Sequence, residues 1–242
     1  MQEIMLKGFS TAVYASVVLT LSPLLILGQQ SEPSPVPGTL NVTADGESKR
    51  LFGIVPNYRT SPSLRHYKPI SPKEKFTIAA QDSFDRGTVA LAAFFAGESQ
   101  LTHGEPSFGQ GAAGYGRYFG TSYADFVIGD YMTEAIFPSI LHQDPRYFRK
   151  STGTATQRLE YAVGQIFWTH TDNGGTQFNY SEVVGNATAV AISNAYYPDN
   201  RSASEAVSKL GLQLGVDMAS NVLKEFWPDI TRKLSRKHHT LD

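Results

Sequence analysis

The chain has no cysteine among its 242 residues. This absence excludes disulfide bonds, and it also excludes lipid attachment through an N-terminal cysteine. An excess of charge is missing as well, because 21 basic residues face 22 acidic ones and the formal net charge is −1. A near-neutral chain has no overall field that attracts nucleic acid, so we expect no nucleic-acid partner. Stability must therefore come from packing, which the aromatic content of 12% supports.

Charge is also missing from a long stretch near the N-terminus. Residues 8–27 (GFSTAVYASVVLTLSPLLIL) follow the basic residue Lys7 and contain no charged side chain. The pattern is typical of a signal peptide, and about 20 apolar residues are also long enough for a transmembrane helix. Gly28 offers a small residue for cleavage, although Ile26 departs from the small residue usual at that position. We therefore expect export to the periplasm or cell envelope, with residues 1–28 either cleaved or retained as a membrane anchor.

Regular structure is not expected in residues 29–70, because this segment is rich in proline. Proline fixes φ and lacks a backbone N–H, so it interrupts helices and sheets. The part before Arg50 is typical of a disordered or extended tether. Residues 51–58 (LFGIVPNY) are apolar and aromatic, and they predict an extended arm that packs onto the domain. The alternative is that these residues are only an apolar part of the linker.

A helical domain is predicted over residues 71–228, followed by a basic tail over 229–242. The start Ser71-Pro72-Lys73-Glu74 combines an N-cap serine, a proline in the first turn and a glutamate three residues after the cap. Apolar residues then recur at helical spacing, and no strand pattern of comparable strength appears after residue 60. We therefore predict an all-α fold, a compact bundle of about five helices. The predicted helices cover about residues 71–97, 110–141 with a break near 116–120, 155–168, 181–197 and 202–227, the last ended by Pro228.

Small residues spaced four apart mark one face on each of the last two predicted helices. Such faces let two helix backbones approach closely. We therefore predict that these two helices run antiparallel and contact each other through the small residues. Asp217 lies among them, and a charged residue inside a bilayer is costly, which favours a bundle in water over membrane spans. The small residues are Gly185, Ala189 and Ser193 on the fourth helix and Gly211, Gly215 and Ala219 on the fifth.

One glutamate stands in a sequence context that suggests an enzyme. Glu98-Ser99 end an apolar predicted helix, and Ser107 and the segment GAAGY at 111–115 follow. This order resembles the lysozyme-like lytic transglycosylases, a family in which the glutamate acts as general acid with a pKa raised by an apolar pocket. The resemblance covers about residues 97–121 and departs from the family where Arg117 replaces an expected glutamine. It implies peptidoglycan cleavage by Glu98 as an alternative function.

Two His-x-Asp pairs follow predicted helices, His142 with Asp144 and His170 with Asp172. An imidazole and a carboxylate at such a spacing can contribute to a divalent metal site. Both pairs also lie in turn-like sequences, where the aspartate bonds to local backbone, and this interpretation is the simpler one. We therefore expect no metal and no other cofactor, and the four residues remain candidates only.

Polar residues inside the predicted helices form the candidate binding set. Asp130 and Glu134 lie four residues apart, and their like charges repel unless a cation or a proton intervenes. Asp82 and Arg86, also four apart, predict an ion pair on the first helix. The candidate set could line a polar cavity for a small ligand or a lipid, and the alternative is a solvated face or an internal hydrogen-bond network. The set consists of Asp130, Glu134, Asn186, Asn194, Asp217 and Asn221.

Four segments carry a further resemblance: PNYRTSPSLRHYKPISPKEKF, FGQGAAGYGRYFG, IFPSILHQDPRYFR and the run from residue 165 to residue 198. They resemble a family of uncharacterised exported bacterial proteins of the cell envelope. The resemblance covers about residues 49–228 and implies one domain family without an assigned activity, so it supplies no catalytic residues. The predicted function is an interaction or structural role in the envelope without catalysis. Association with the membrane through the N-terminal segment and a homo-oligomer are both compatible with that role.

Overall fold

The structure is a computed structural model that describes residues 50–51, 55–61 and 67–238. The predicted signal or anchor segment, the tether before Arg50 and the last residues of the basic tail lie outside the described residues. Of the described chain 66% is helical, which confirms the prediction of a helical domain. Within these residues, no helix combines the length and the apolar composition that crossing a membrane requires.

The first helix begins where the sequence predicts it. Helix α1 spans Pro72–Ser83, and the Ser71 hydroxyl accepts a hydrogen bond from the Glu74 backbone N–H while the Glu74 carboxylate accepts from the Ser71 N–H at 2.7 Å. This reciprocal pair is the capping box that the sequence indicated.

The single helix predicted over residues 71–97 is wrong, because the chain breaks after α1 and restarts as α2, Arg86–Leu101. Asp85 is the cause, since its carboxylate accepts a hydrogen bond from the Gly87 N–H at 2.7 Å and caps a new helix. The break separates Asp82 from Arg86, so the predicted ion pair does not form: Asp82 is buried and Arg86 is exposed.

The second predicted helix is continuous where a break was expected. Helix α3 spans Gly111–Asp130 and passes through residues 116–120 without interruption. A π-helix, Tyr131–Ile136, and a short helix α4, Phe137–Ile140, follow. Pro138 has no N–H with which to bond to the carbonyl four residues before it. The residue before it, Phe137, donates its N–H to the Met132 carbonyl, five residues back, which is the hydrogen bond of a π-helix. The wider turn brings Thr133 and Glu134 into the interior.

Short strands occur where the all-α prediction has only helices and loops. Where a helix to residue 168 was predicted, α5 covers only Ala155–Gly164, and the chain continues into a strand. In the described residues β4 (Gln143–Asp144), β6 (Trp168–Thr171) and β7 (Thr176–Phe178) form an antiparallel sheet in the order β4-β6-β7. Strand β3 (Thr60–Ser61) pairs in parallel with β5 (Tyr147–Phe148), and β1 (Arg50–Leu51) pairs antiparallel with β2 (Val55–Pro56).

The last two helices are α6, Tyr180–Ser193, and α7, Ala203–His238. The prediction that Pro228 ends the final helix is wrong, because α7 continues through it for ten more residues, to His238. A proline leaves the carbonyl four residues before it without its helical donor. Here that carbonyl belongs to Lys224, and the Arg149 guanidinium donates to it at 2.8 Å. A side chain from another segment therefore replaces the missing hydrogen bond.

The contact predicted between the two small-residue faces is also wrong. A Cβ atom added at Gly185 would lie 3.0 Å from Thr133 Cγ2, so this face of α6 packs on the π-helix. No atom lies within 4 Å of a Cβ added at Gly211 or Gly215, and both are exposed. Helices α6 and α7 are nevertheless antiparallel neighbours: Asn186 bonds to Asp217, while Asn194 faces the start of α7.

Candidate functional site

The interior of the described domain holds more polar and charged residues than apolar ones among its most buried positions. Seven charged side chains form one group where six segments of the chain meet. We call this group the charge cluster. Its members are Arg59 from the loop between β2 and β3, Asp82 from α1, Asp130 from the end of α3, Glu134 from the π-helix, Glu182 from α6, and Asp217 and Lys224 from α7.

Arg59 lies at the centre of the charge cluster and joins two carboxylates. Its guanidinium is 3.3 Å from Glu134 Oε1 through one nitrogen and 3.2 Å from Glu182 Oε2 through another. The third nitrogen, Nε, donates to the Pro145 carbonyl at 3.0 Å. The planar guanidinium suits this role because its donors point in several fixed directions. Arg59 thereby ties the N-terminal arm to the π-helix and to α6.

On one side of Arg59, two carboxyl groups lie against each other. Asp217 is within hydrogen-bonding reach of Glu182. The Asn186 amide, which is almost completely buried, donates to both of them, at 3.2 Å to Glu182 Oε1 and 3.2 Å to Asp217 Oδ2. One amide group therefore holds the two acids together.

On the other side, Asp82 and Glu134 form a second pair of carboxyl groups within hydrogen-bonding reach. Asp130 lies close to both, and the Ser83 hydroxyl donates to Asp130 Oδ2 at 3.0 Å. Asp82 Oδ1 and Glu134 Oε2 are shielded from solvent, and neither finds a donor among the described residues. Because ionised carboxylates only accept hydrogen bonds, two facing carboxyl groups can bond to each other only when one carries a proton.

The charge balance of the cluster leads to the same conclusion. Its five carboxyl groups and two cationic groups would carry a net charge of −3 if all were ionised. Burying uncompensated charge costs several kcal/mol per ion, and a group that can take up a proton does so instead. The cluster is therefore expected to hold protons at neutral pH.

The pKa values of the acids shift in the direction that this balance requires. Burial raises the pKa of Asp82 to about 6, although the positive charges of Lys224 and Arg59 oppose the shift. Burial and the negative charge of Asp82 raise the pKa of Asp130 to about 8. The same two causes raise the pKa of Glu134 well above its ordinary value. For Asp217 the raised pKa comes from burial and from the charge of Glu182.

The two cations respond differently to the same surroundings. Burial and the nearby charge of Arg59 lower the pKa of Lys224. Burial also works against the charged form of Arg59, but the carboxylates of Glu134, Glu182 and Asp217 outweigh it and raise the pKa of that guanidinium. Arg59 is therefore the permanent cation of the cluster.

A small cavity adjoins the charge cluster. Its volume is about 30 Å³, and Arg59, Glu182, Asp217, Asn221 and Lys224 contribute to its wall. A cavity needs about 10–15 Å³ of such space to hold one water molecule. The cavity therefore has room for about two water molecules and is too small for an organic ligand.

The structure brings five of the six candidate binding residues to this site. Asp130, Glu134 and Asp217 are cluster acids, Asn186 bonds to two of them, and Asn221 lines the cavity. Asn194 is not part of the site, because it lines a separate apolar groove between α6 and α7.

Sequence reasoning missed four members of the cluster. Arg59 lies one residue beyond the predicted arm of residues 51–58, and no role was assigned to its side chain, while Asp82 was assigned to an ion pair with Arg86. Glu182 stands in the first turn of α6, where an acidic residue favours the helix dipole without any other role. Lys224 was one basic residue on an amphipathic helix. Asp82 lies at helical intervals from apolar residues of α1, and this spacing was the one signal in the sequence that could have indicated that Asp82 is buried.

The metal candidates are brought together in part. Strands β4 and β6 place Asp144 opposite His170. Asp144 is already bonded to Arg146 and to the Tyr67 hydroxyl, and Asp172 is bonded to the Lys75 ammonium at 2.8 Å. His142 is largely exposed, and its Nδ1 lies 3.8 Å from Asp172 Oδ2. In the part of the chain that the structure describes, no set of three or more histidine, aspartate or glutamate side chains is placed to hold a metal ion.

Glu98 lies three residues before the end of α2, and both of its carboxylate oxygens are shielded from solvent. It contributes to neither the cavity at the charge cluster nor the groove between α6 and α7. Ser107, the next residue of the transglycosylase-like pattern, donates to Asp199 through its hydroxyl and its backbone N–H. Arg117 donates to the Phe108 carbonyl at 2.9 Å. These contacts stabilise the loop between α2 and α3.

Comparisons with known proteins were made at three levels. No family model, no curated protein and no solved structure matches the chain. The resemblance to exported bacterial proteins that the sequence suggests therefore stays a prediction. Hypotheses about function have to start from the charge cluster and from the surface of the domain.

Proposed function

We propose that this protein is an exported cell-envelope protein that acts by interaction rather than by catalysis. The second part of the proposal is that its charge cluster takes up protons and thereby links the stability of the helical domain to pH. One observation carries the second part: Asp82 Oδ1 and Glu134 Oε2 are buried in facing carboxyl groups without a donor. A proton shared between these two groups satisfies both oxygens and removes one negative charge.

Two features support an interaction role over an enzymatic one. The cavity at the charge cluster has a volume of about 30 Å³, which does not admit an organic substrate. Glu98, the residue on which a peptidoglycan-cleaving hydrolase would depend, is shielded and lines neither cavity. The hydrolase and the small-ligand module therefore have less support from the geometry than an interaction protein.

Export and the arrangement of the N-terminal region are part of the same proposal. They rest on residues 8–27, which are uncharged, and on the proline-rich segment that follows. In this proposal residues 1–28 act as a signal peptide or as an anchor, and the segment up to residue 70 connects it to a bundle of helices.

The sign of the pH dependence follows from the raised pKa values of the acids. In the unfolded chain an aspartate titrates near about pH 4, whereas the pKa of Asp130 in the folded chain is about 8. Between these values the folded state binds more protons than the unfolded state, so the free energy of unfolding falls as pH rises. The contribution is complete below the unfolded value and is lost as pH rises through the folded one. Burial lowers the pKa of Lys224, and loss of its proton opposes this trend.

The test is denaturant unfolding of the full-length protein in detergent between about pH 5 and about pH 8.5, with Glu134→Gln beside the parent. The parent is expected to lose stability as pH rises. Glu134→Gln keeps a donor and an acceptor without a titrating group, so its profile is expected to be flatter, with the largest gain over the parent at high pH. Glu160→Gln, at an exposed position of α5, is the control and should retain the slope of the parent. A parent profile that is flat or rises over this range would refute the proposal.

A further inference from the structure

One surface of the described domain is apolar and carries no charge. It is formed by exposed residues of α6 and of the first half of α7, and we call it the apolar face. Its residues include Val184, Ala191 and Ile192 of α6 and Val207, Gly211 and Gly215 of α7, and Val207 is 70% exposed. Its length along α6, Tyr180–Ser193, is about 20 Å at 1.5 Å per residue.

The absence of charge results from where the nearby charged residues point. Between residues 176 and 198 the only charged residue is Glu182, which is buried in the charge cluster. In the first part of α7, Glu205 bonds to Ser202, and the Lys209 ammonium lies over the Tyr197 ring at 4.2 Å. Asp217, two residues after Gly215, is also a member of the cluster.

Exposed aromatic rings extend the apolar face at the start of α6. Phe167, Trp168 and Tyr180 are 38%, 53% and 52% exposed. All three rings pack against Phe178, with ring centres 6.4, 6.3 and 5.0 Å away. Because Tyr180 is the first residue of α6, this aromatic group is continuous with the apolar face.

The two helices of the apolar face meet at an open groove of about 220 Å³, lined by residues that include Ala187, Ala191 and Val207. On the α7 side, Gly211 and Gly215 follow Val207 at intervals of four, with no atom within 4 Å of a Cβ added at either glycine. The middle of the face is therefore made of small residues, while the large aromatic rings lie at one end.

We propose that the apolar face lies on the surface of a lipid bilayer, an inference that rests on the envelope location and interaction role proposed above. Soluble monomers seldom expose an apolar patch larger than a few hundred Å², so a face of this kind is normally covered. Tryptophan and tyrosine favour the boundary between lipid and water, because each ring is apolar with one polar atom. A bilayer also accepts an uncharged face of small residues without requiring complementary side chains.

The sequence favours lipid over a second copy of the chain as the occupant. Protein interfaces usually centre on large aromatic or arginine anchors, but the aromatic rings of this face lie at one end, and the groove at its centre is lined by residues that include Ala187, Ala191 and Val207. The predicted anchor ends at residue 27, and about 22 residues separate it from Arg50. If these residues behave as a flexible chain, they span about 25 Å on average, a length that would keep the domain near the bilayer that holds the predicted anchor.

The experiment uses the full-length protein in phosphatidylcholine vesicles. Because the chain has no cysteine, a single cysteine can carry a fluorescent label at Ala191→Cys or Gly215→Cys on the apolar face, or at Glu160→Cys on α5 as control. Lipids with a quencher near the headgroup are expected to remove most of the fluorescence at 191 and 215 and little at 160. Since the face is uncharged, the quenching should not change between low and high salt.

A second pair of variants tests whether the face itself makes the contact. Val207→Glu should abolish most of the quenching at 191, whereas Leu101→Glu, at an 83% exposed position outside the face, should leave it unchanged. Equal quenching at 160 and 215 would overturn the proposal. Cross-linking between two copies through Gly215→Cys, without quenching by lipid, would also overturn it and identify a second chain as the occupant. If either of these results is found, the pH profile of Glu134→Gln still tests the proposed proton uptake independently.

Discussion

Two buried glutamates, Glu225 and Glu134, have opposite surroundings although both are almost completely shielded. Glu225 accepts four hydrogen bonds, from the Tyr147 hydroxyl at 2.8 Å, the backbone N–H groups of Lys150 and Ser151 at 3.0 and 2.8 Å, and Arg158 Nε at 2.8 Å. Glu134 forms an ion pair with Arg59 at 3.3 Å, and one of its oxygens has no donor among the described residues. A carboxylate surrounded by donors holds segments together through hydrogen bonds, whereas a buried carboxyl oxygen without a donor is satisfied only by a proton.

The two environments are adjacent on α7. Lys224 belongs to the charge cluster, and the next residue, Glu225, belongs to the network with Arg158. Successive residues of a helix point in directions about 100° apart, so neighbouring side chains enter different networks. The charge cluster and the Glu225 network therefore meet at adjacent residues of α7, and substitutions in each can be compared directly.

The largest effect is expected for Glu225→Gln. The amide cannot serve an arginine, a tyrosine hydroxyl and two backbone N–H groups together, so donors are left buried without acceptors. Removing one partner of a buried ion pair costs about 3–5 kcal/mol. We expect a loss of that size in denaturant unfolding, similar at about pH 6 and about pH 8 because all four donors keep their protons in this range. A loss that shrinks strongly at the lower pH would remove the distinction between the two sites.

Arg59→Met should cost less and should depend on pH. At about pH 8 the loss is expected near the lower end of the range for a broken buried pair, about 3 kcal/mol. At about pH 5 the raised pKa values let the cluster acids take up protons, so the loss should be smaller. Unfolding curves at both pH values measure the difference, with Arg86→Met, at an exposed position, as control. An equal loss at both values would show that the acids stay charged without Arg59.

Substitutions at two glycines test how tightly α6 packs on the π-helix, which carries Glu134. At Gly185 an added Cβ meets Thr133 Cγ2 at 3.0 Å and the Met132 backbone at 3.2 Å, so Gly185→Ala should cost about 1–3 kcal/mol by overpacking. At Gly215 the added Cβ meets nothing within 4 Å, and Gly215→Ala should gain up to about 1 kcal/mol of helix propensity. Thermal melts that rank the two variants in the opposite order would contradict the packing of α6 on the π-helix.

The smallest expected effect concerns the residue that links the two networks. Arg149→Met removes the donor to the Lys224 carbonyl, and an unsatisfied buried carbonyl costs about 1 kcal/mol or somewhat more. In a Pro228→Ala background the restored N–H of residue 228 can bond to that carbonyl, so the same change should cost less. A double-mutant cycle by denaturant unfolding should give a coupling of about 0.5–1 kcal/mol. Additive losses would indicate that Arg149 does not substitute for the missing helical donor.

The starts of helices were predictable because their causes are local. Ser71 and Glu74 form the predicted capping box, and Asp172, in a sequence predicted to be turn-like, lies in the turn between β6 and β7. The ends and breaks were not predictable to the same degree. Asp85 interrupts a helix by capping the next one, and Pro228 is tolerated because Arg149 reaches it from a distant segment.

The candidate site shows the same limit. Asp130 and Glu134 were selected because like charges four residues apart need a proton or a cation between them, and both lie in the charge cluster. The two cations that lie among these acids, Arg59 and Lys224, come from opposite ends of the described chain. Asp82 was assigned to a helical ion pair, and only the break before Arg86 turns it inward.

What the sequence determined by itself is what depends on composition and on near neighbours. It excludes disulfides, it sets a net charge close to zero, and it predicts a helical domain and the caps that start its first helix. Only the tertiary structure decided which acids face each other, which glycines are covered and which apolar residues stay exposed. The physical reason is that burial and electrostatic surroundings, unlike a capping box, are set by residues far apart in the chain.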